Sequence, residues 1–141
     1  MQSMNLGAFL LRVSLGILLL AHSLLKIFVF TVPGTVGYFA SLGLPPIAAY
    51  LTIAGELLGG LALISGTYTR LSALLMLPIL LGATWAHVGN GWVFSSPNGG
   101  WEFPALLSML TLVVALLGSG AFALRLRLPV IDSLLPLPLK S

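Results

Sequence analysis

Four runs of apolar residues, at about 6–28, 46–64, 71–88 and 103–124, constrain this 141-residue chain more than any motif does. A bilayer core about 30 Å thick takes roughly 20 helical residues to cross. Within it every backbone polar group must be satisfied inside the segment, which helices do unaided. The runs therefore predict an all-α membrane protein, an antiparallel bundle of four transmembrane helices. Only 6% of the residues are charged, against roughly 25% in an ordinary soluble domain, and the mean hydropathy is +1.11. Nearly the whole length is used in spans, leaving one transmembrane domain over 1–141 with a C-terminal tail at 125–141. Met1–Asn5 lacks Lys and Arg, and no small-x-small pattern follows the first run, so that run reads as an uncleaved span.

The connections set the topology. Ser65–Arg70 is short enough to force a helix hairpin, with Gly66 able to take a left-handed C-terminal cap and Thr69 able to cap the next helix. Val29–Pro46 and Gly89–Trp101 are longer, rich in Gly, Pro and aromatics, and fall together on the opposite side. Arg70, Arg125, Arg127 and Lys140, with Arg12 close by, lie on the side of the short turn, and only Lys26 lies on the other. The positive-inside rule then places both termini in the cytoplasm. The net charge of +3 is dispersed, so it reads as a topology signal and not as a nucleic-acid footprint. With no cysteine, the chain forms no disulfide and carries out no thiol exchange, and any thiol chemistry belongs to a partner. Trp85, Trp92 and Trp101 gather on the outer side with Tyr38, Phe39 and Phe94. They are either an interfacial belt or the rim of a ligand mouth. Arg125 and Arg127 suit anionic headgroups, and the prolines beyond them argue against a continued helix.

Chemistry is concentrated in a few polar residues within the spans. At 1.5 Å per residue, His22 lies roughly 9 Å and Lys26 about 3 Å below the outer boundary. At about 100° per residue, Arg12, His22 and Lys26 share one stripe of the first helix, and such a stripe belongs inside a bundle. Glu56 lies roughly 15 Å deep in the second span, where a carboxylate must be paired, hydrated or protonated. It shares a face with Thr52, Gly55, Gly59 and Leu63, a small-residue seam open to close helix approach. His87 shares the inward side of the third span with Thr84. Glu102 begins the fourth, where a carboxylate also suits the helix dipole. His22, Lys26, Glu56, His87 and Glu102 belong to the outer half or midplane, and Arg12 to the inner half. Together they predict a polar cavity opening outward, a ligand-binding or proton-handling site. Catalytic roles are not assigned. The two histidines permit bis-imidazole haem ligation, but the empty volume this demands in four short helices disfavours haem. The His and Glu residues lack short ligand spacing, so no metal site is expected.

The same residues carry a family resemblance. Arg12-x-x-x-Gly16, His22-x-x-x-Lys26-x-Phe28, Phe39-x-x-x-Gly43-Leu44-Pro45, Glu56-x-x-Gly59-Gly60, the Thr69-Arg70 turn and Gly99-Gly100-Trp101-Glu102-Phe103-Pro104 occur in order from Arg12 to Gly120. The chain thereby resembles the DoxX family of small four-helix membrane proteins. It departs from the family pattern at Ser23, where the family usually has Gly, and at Ala123-Leu124-Arg125, where Ser-Leu-Asp is typical. The resemblance implies a multi-pass protein of the bacterial inner membrane and quinone-linked redox work. Three readings stay open. One is a quinone- or lipid-binding accessory subunit of a membrane redox complex, at most a non-thiol subunit of a quinone-linked oxidoreductase. There His22 or Lys26 would bond a quinone carbonyl, Glu56 would exchange the proton, and a redox partner protein would handle electrons. A second is a carrier or channel for protons or a small solute, for which four short helices would have to form a homo-oligomer. The third is a structural or assembly subunit.

Overall fold

The computed structural model describes residues 2–140; the two ends of the expected domain, Met1 and Ser141, lie outside the described residues. Among the described residues the structure is helical, with no strand. Helix α1 spans Gln2–Leu24 and continues into a π-helical turn, Leu25–Val29. It is followed by α2 (Val32–Ser41), α3 (Pro46–Ser65), α4 (Thr69–His87), α5 (Glu102–Leu117) and α6 (Pro129–Leu134), with short 3₁₀ turns at Val88–Asn90 and Leu137–Lys140. Three segments, Gln2–Val29, Pro46–Ser65 and Thr69–Asn90, are long and apolar enough to cross a membrane. Helix α5 is apolar but has 16 residues, and it ends at Leu117, not at the expected 124. Its stop is Gly118 at φ 81°, followed by Gly120 at φ 64°. These left-handed conformations suit glycine because it has no Cβ.

Helix α1 packs against α3 and α5, and α4 packs against the same two. Arg12 meets Leu63 and Ile64, Gly16 meets Gly60, and Ser23 meets Ile53, so α1 and α3 run in opposite senses. Between them lies a core of Leu15, Leu19, Leu63, Ala73, Met76, Leu80, Leu107 and Val114. The closest approach is glycine on glycine. A Cβ on Gly60 would stand 2.9 Å from both the Gly16 carbonyl oxygen and the Leu20 nitrogen, and backbone atoms cannot yield as a flexible side chain can. Gly60→Ala is therefore expected to force α1 from α3 and cost about 2 kcal/mol, as overpacking does. Thermal unfolding in detergent checks this against Gly82→Ala, where a Cβ would meet nothing within 4 Å.

Both ends of the helices are closed by side chains and loops. At one, here the arginine end, Gly66 caps α3 in the left-handed region at φ 77°, as the sequence predicts. Thr69 does not cap α4. It is the first helical residue, the N-cap is Tyr68, whose side chain makes no capping bond, and the Thr69 hydroxyl is buried without a partner. Arg12, 0% exposed, ties this end together. Its Nε donates to the Ser119 carbonyl at 2.9 Å, Nη1 to those of Leu63 and Ile64 at 2.6 and 2.7 Å, and Nη2 to Ala121 at 3.1 Å. Carbonyls at a helix C-terminus have no intrahelical donor and carry partial negative charge, so a buried guanidinium is solvated here without a carboxylate. The tail folds back over the same end. The Tyr68 hydroxyl accepts from the Leu128 backbone N–H at 2.8 Å and donates to Asp132 at 2.7 Å. Pro129 starts the short α6 where irregular chain was expected.

At the opposite, histidine end, Val29–Pro46 is not the irregular connection that its Gly and Pro content suggests. Its middle is α2, with Pro33 in the first turn, where no amide donor is needed, and the Thr31 hydroxyl accepting from the Gly34 N–H at 3.2 Å.

Candidate functional site

The π turn is where the sequence-based helix geometry changes. An α-helix ideal to Val29 would advance about 100° per residue, whereas the wider turn, marked by the Phe30 N–H bonding the Leu25 carbonyl at 2.9 Å, re-aims what it carries. Lys26 lies inside it. Its carbonyl accepts from the buried Thr35 hydroxyl of α2 at 3.1 Å, which fastens α2 beside it. Single π turns inside α-helices occur often at functional sites.

Lys26 does not extend to the surface. Its Nζ donates to Glu56 Oε1 at 2.9 Å and Oε2 at 2.8 Å, with side-chain exposures of 18% and 7%. Of the three states open to a buried carboxylate, paired, hydrated or protonated, Glu56 is thus paired, through Lys26 at the end of α1. Next to it, Ser23 donates to the Ile53 carbonyl at 3.0 Å. The departure from family glycine at this position therefore adds a bond between the two helices.

The two histidines are held alike. Nδ1 of His22 lies 2.8 Å from the Leu18 carbonyl, and Nδ1 of His87 lies 2.7 Å from the Ala83 carbonyl, each one turn back on its own helix. A carbonyl only accepts, so each Nδ1 carries the hydrogen, and in the neutral ring Nε2 is left as an acceptor. The His22 ring also stacks on Phe103 of α5, centroids 6.2 Å apart.

His22, Lys26, Glu56 and His87 all line one cavity of about 820 Å³ among the histidine-end halves of α1, α3, α4 and α5. Most of its wall is apolar, including Leu19, Leu51, Ile79 and Leu107, with Tyr38 and Phe39 of α2 and Trp85 and Phe94 along its rim. A chamber with apolar walls and a few convergent polar groups is the usual form of a small-molecule site. Its polar groups can bind a head group and hold a proton at the Glu56 carboxylate or at a histidine Nε2.

The other two candidates lie elsewhere. Arg12 is at the arginine end, occupied by four carbonyls. Glu102 lines a separate shallow cleft with Trp92, Phe94 and Phe103. There its carboxylate accepts from the Phe94 N–H at 2.9 Å, pinning the loop between α4 and α5. Gly100 lies beneath that loop, against the carbonyls of Trp92 and Val93, with no room for a side chain.

Thr35 and Phe103 hold or flank the polar groups but were not singled out from the sequence. Neither has a signal of its own, because each acts through a neighbour brought by the fold.

The DoxX family model matches residues 7–89, more than half of the chain and all of the Arg12-to-Thr69-Arg70 pattern. The chain belongs to the DoxX family. The Gly-Gly-Trp-Glu-Phe-Pro stretch lies beyond the matched residues. This DoxX protein is 35% identical over 123 residues, 87% of either chain, to a Bacillus subtilis (strain 168) protein named "Putative oxidoreductase CatD". No solved structure matches it. Family and apolar helices together make it a multi-pass integral membrane protein.

Proposed function

We propose that this DoxX protein is the quinone-binding accessory subunit of a membrane redox complex. The observation that carries the reading is the cavity, an apolar chamber of about 820 Å³ whose polar groups are a Lys–Glu pair and two imidazoles. A quinone head needs such a place. Lys26, with two of its three hydrogens committed to Glu56, has a third to donate to a carbonyl oxygen. The histidine Nε2 atoms accept from the hydroxyls of the reduced form, and Glu56 takes or returns the proton. The oxidoreductase name of the Bacillus relative agrees with this chemistry. With no cysteine in the chain, the electrons that reduce the quinone come from a redox partner protein, and those of the reduced form return to one.

In this reading α5, tilted little and flanked by the Trp92–Trp101 loop, completes a four-span antiparallel bundle in a bacterial inner membrane. The arginine end, with both termini, faces the cytoplasm, and the cavity lies in the outer half.

The test is mass spectrometry of an organic extract from protein purified in mild detergent, beside a His22→Ala, Glu56→Gln variant prepared identically. A stoichiometric quinone, lost from the variant, is the expected result. Absence of quinone from both, or equal amounts in both, overturns the proposal.

A further inference from the structure

We infer that the cavity is entered from the side, out of the lipid, through a slit between α3 and α4, and that its ligand is a membrane-dissolved amphiphile whose tail stays in that slit. The inference rests on the cavity being the binding chamber proposed above; it adds the route and the class of molecule.

The α1–α3 and α1–α5 walls and the histidine-end roof are closed by specific contacts, and α4 and α5 pack along each other. Between α1 and α3 stand the Ser23 bond to Ile53 and the Lys26–Glu56 pair. Between α1 and α5, His22 stacks on Phe103. The histidine end is roofed on one side by α2, tied through Thr35 to Lys26. On the other it is roofed by the 91–101 loop, which is bonded to the start of α5 by Trp101 N–H to the Gly91 carbonyl and Glu102 N–H to the Trp92 carbonyl, both at 3.1 Å.

Helices α3 and α4 differ. They meet toward the arginine end, where Gly55 faces Ile79 and Gly59 faces Met76. Beyond that point both present residues that line the cavity and are also exposed: Leu51 at 61% and Trp85 at 57%. Gly82 lines the cavity too, with open space where its Cβ would be. Leu51 and Trp85 are wall and surface at once and mark the opening between α3 and α4; Tyr38 and Phe94, at 47% and 67%, are wall and surface at the histidine-end rim. The edges at Leu51 and Trp85 are apolar and lie on helices that span the bilayer, so the opening faces hydrocarbon. An ion or sugar would have to leave water for lipid to reach it, whereas an amphiphile is already there. Its head goes to the buried polar groups, and its tail passes out between Leu51 and Trp85.

The experiment uses the full chain in liposomes with a long-chain alcohol carrying a photoreactive diazirine on the carbons next to its hydroxyl, the part that enters the chamber, adducts being mapped by mass spectrometry. Leu19 and Leu107, 1% and 5% exposed, line the cavity and are shielded from lipid everywhere else. Labelling of both is expected in the native chain, with loss in Gly82→Trp, while lipid-facing Leu58 and Leu116 label equally in each. Gly82→Leu, a smaller plug, gives partial loss and serves if the larger residue impairs folding. Unlabelled Leu19 and Leu107 in the native chain, or labelling that Gly82→Trp leaves unchanged, overturns the inference. Labelling of a chain that extracts without quinone keeps the entrance and removes the quinone. Quinone in a chain that does not label does the reverse.

Discussion

Arg12→Leu is expected to be the most damaging single substitution in the chain, lowering stability by about 4 kcal/mol, a large part of the 5–15 kcal/mol typical of a folded domain. Four carbonyls from α3 and the segment after α5 depend on one guanidinium. Leucine removes this donor from all four, and of them Leu63 keeps a second, the Gly66 N–H at 3.3 Å. The loss of an unsatisfied buried acceptor is roughly 1–3 kcal/mol each. The four do not add fully, because the segment at Ser119–Ala121 relaxes once released. Arg12→Lys separates shape from charge. A lysine head has one nitrogen and cannot reach carbonyls on both α3 and the segment after α5 as a planar fork does, so most of the loss should remain. Thermal unfolding followed by tryptophan fluorescence in mild detergent measures both. Full stability in the lysine variant would show that positive charge alone matters at this end.

The second large effect is at the Lys26–Glu56 pair. Removing one member of a buried ion pair strands the other, at about 3–5 kcal/mol, whereas replacing both with neutral groups of similar volume is often close to neutral. Lys26→Met and Glu56→Gln should therefore each destabilise the protein strongly, and the double variant should recover at least half of the summed loss. A double-mutant cycle of unfolding free energies gives the coupling. The cycle also separates the functional readings. If the pair only specifies how α1 meets α3, the recovered double variant supports its host complex as the native chain does. If it holds a quinone head, the double variant is stable yet extracts without quinone. A double variant no more stable than the worse single one would mean that the two residues do not act as a pair.

Much of the architecture was legible because one physical term dominates it. Apolar runs of span length locate α1, α3 and α4, and the Ser65–Arg70 turn makes α3 and α4 a hairpin by its shortness alone. The cost of a lone carboxylate at mid-membrane required Glu56 to be paired, hydrated or protonated, and its distance from the span's start gave its depth. The misreadings arose where local pattern competes with context. Ala121–Leu124 is as apolar as a helix end, so the fourth run read through Gly118 and Gly120, whose carbonyl-bearing turn is held by Arg12 from far away in sequence. The Gly- and Pro-rich connection before α3 was given no helix of its own, although proline in a first turn and a threonine cap are compatible with one. The seam predicted at Gly55 and Gly59 faces α4, while the close backbone contact between α1 and α3 falls on Gly16 and Gly60.

Composition and periodicity alone determined that this chain folds as helices in a membrane and that His22, Lys26, Glu56 and His87 would avoid lipid, because burying charge in hydrocarbon is costly wherever the chain places it. Tertiary structure decided what those residues face. Lys26, carried in the π turn, meets Glu56 of α3, and Arg12 is drawn from the candidate site into a cap. Both contacts depend on atoms tens of residues away, whose approach is set by packing and not by spacing along the chain.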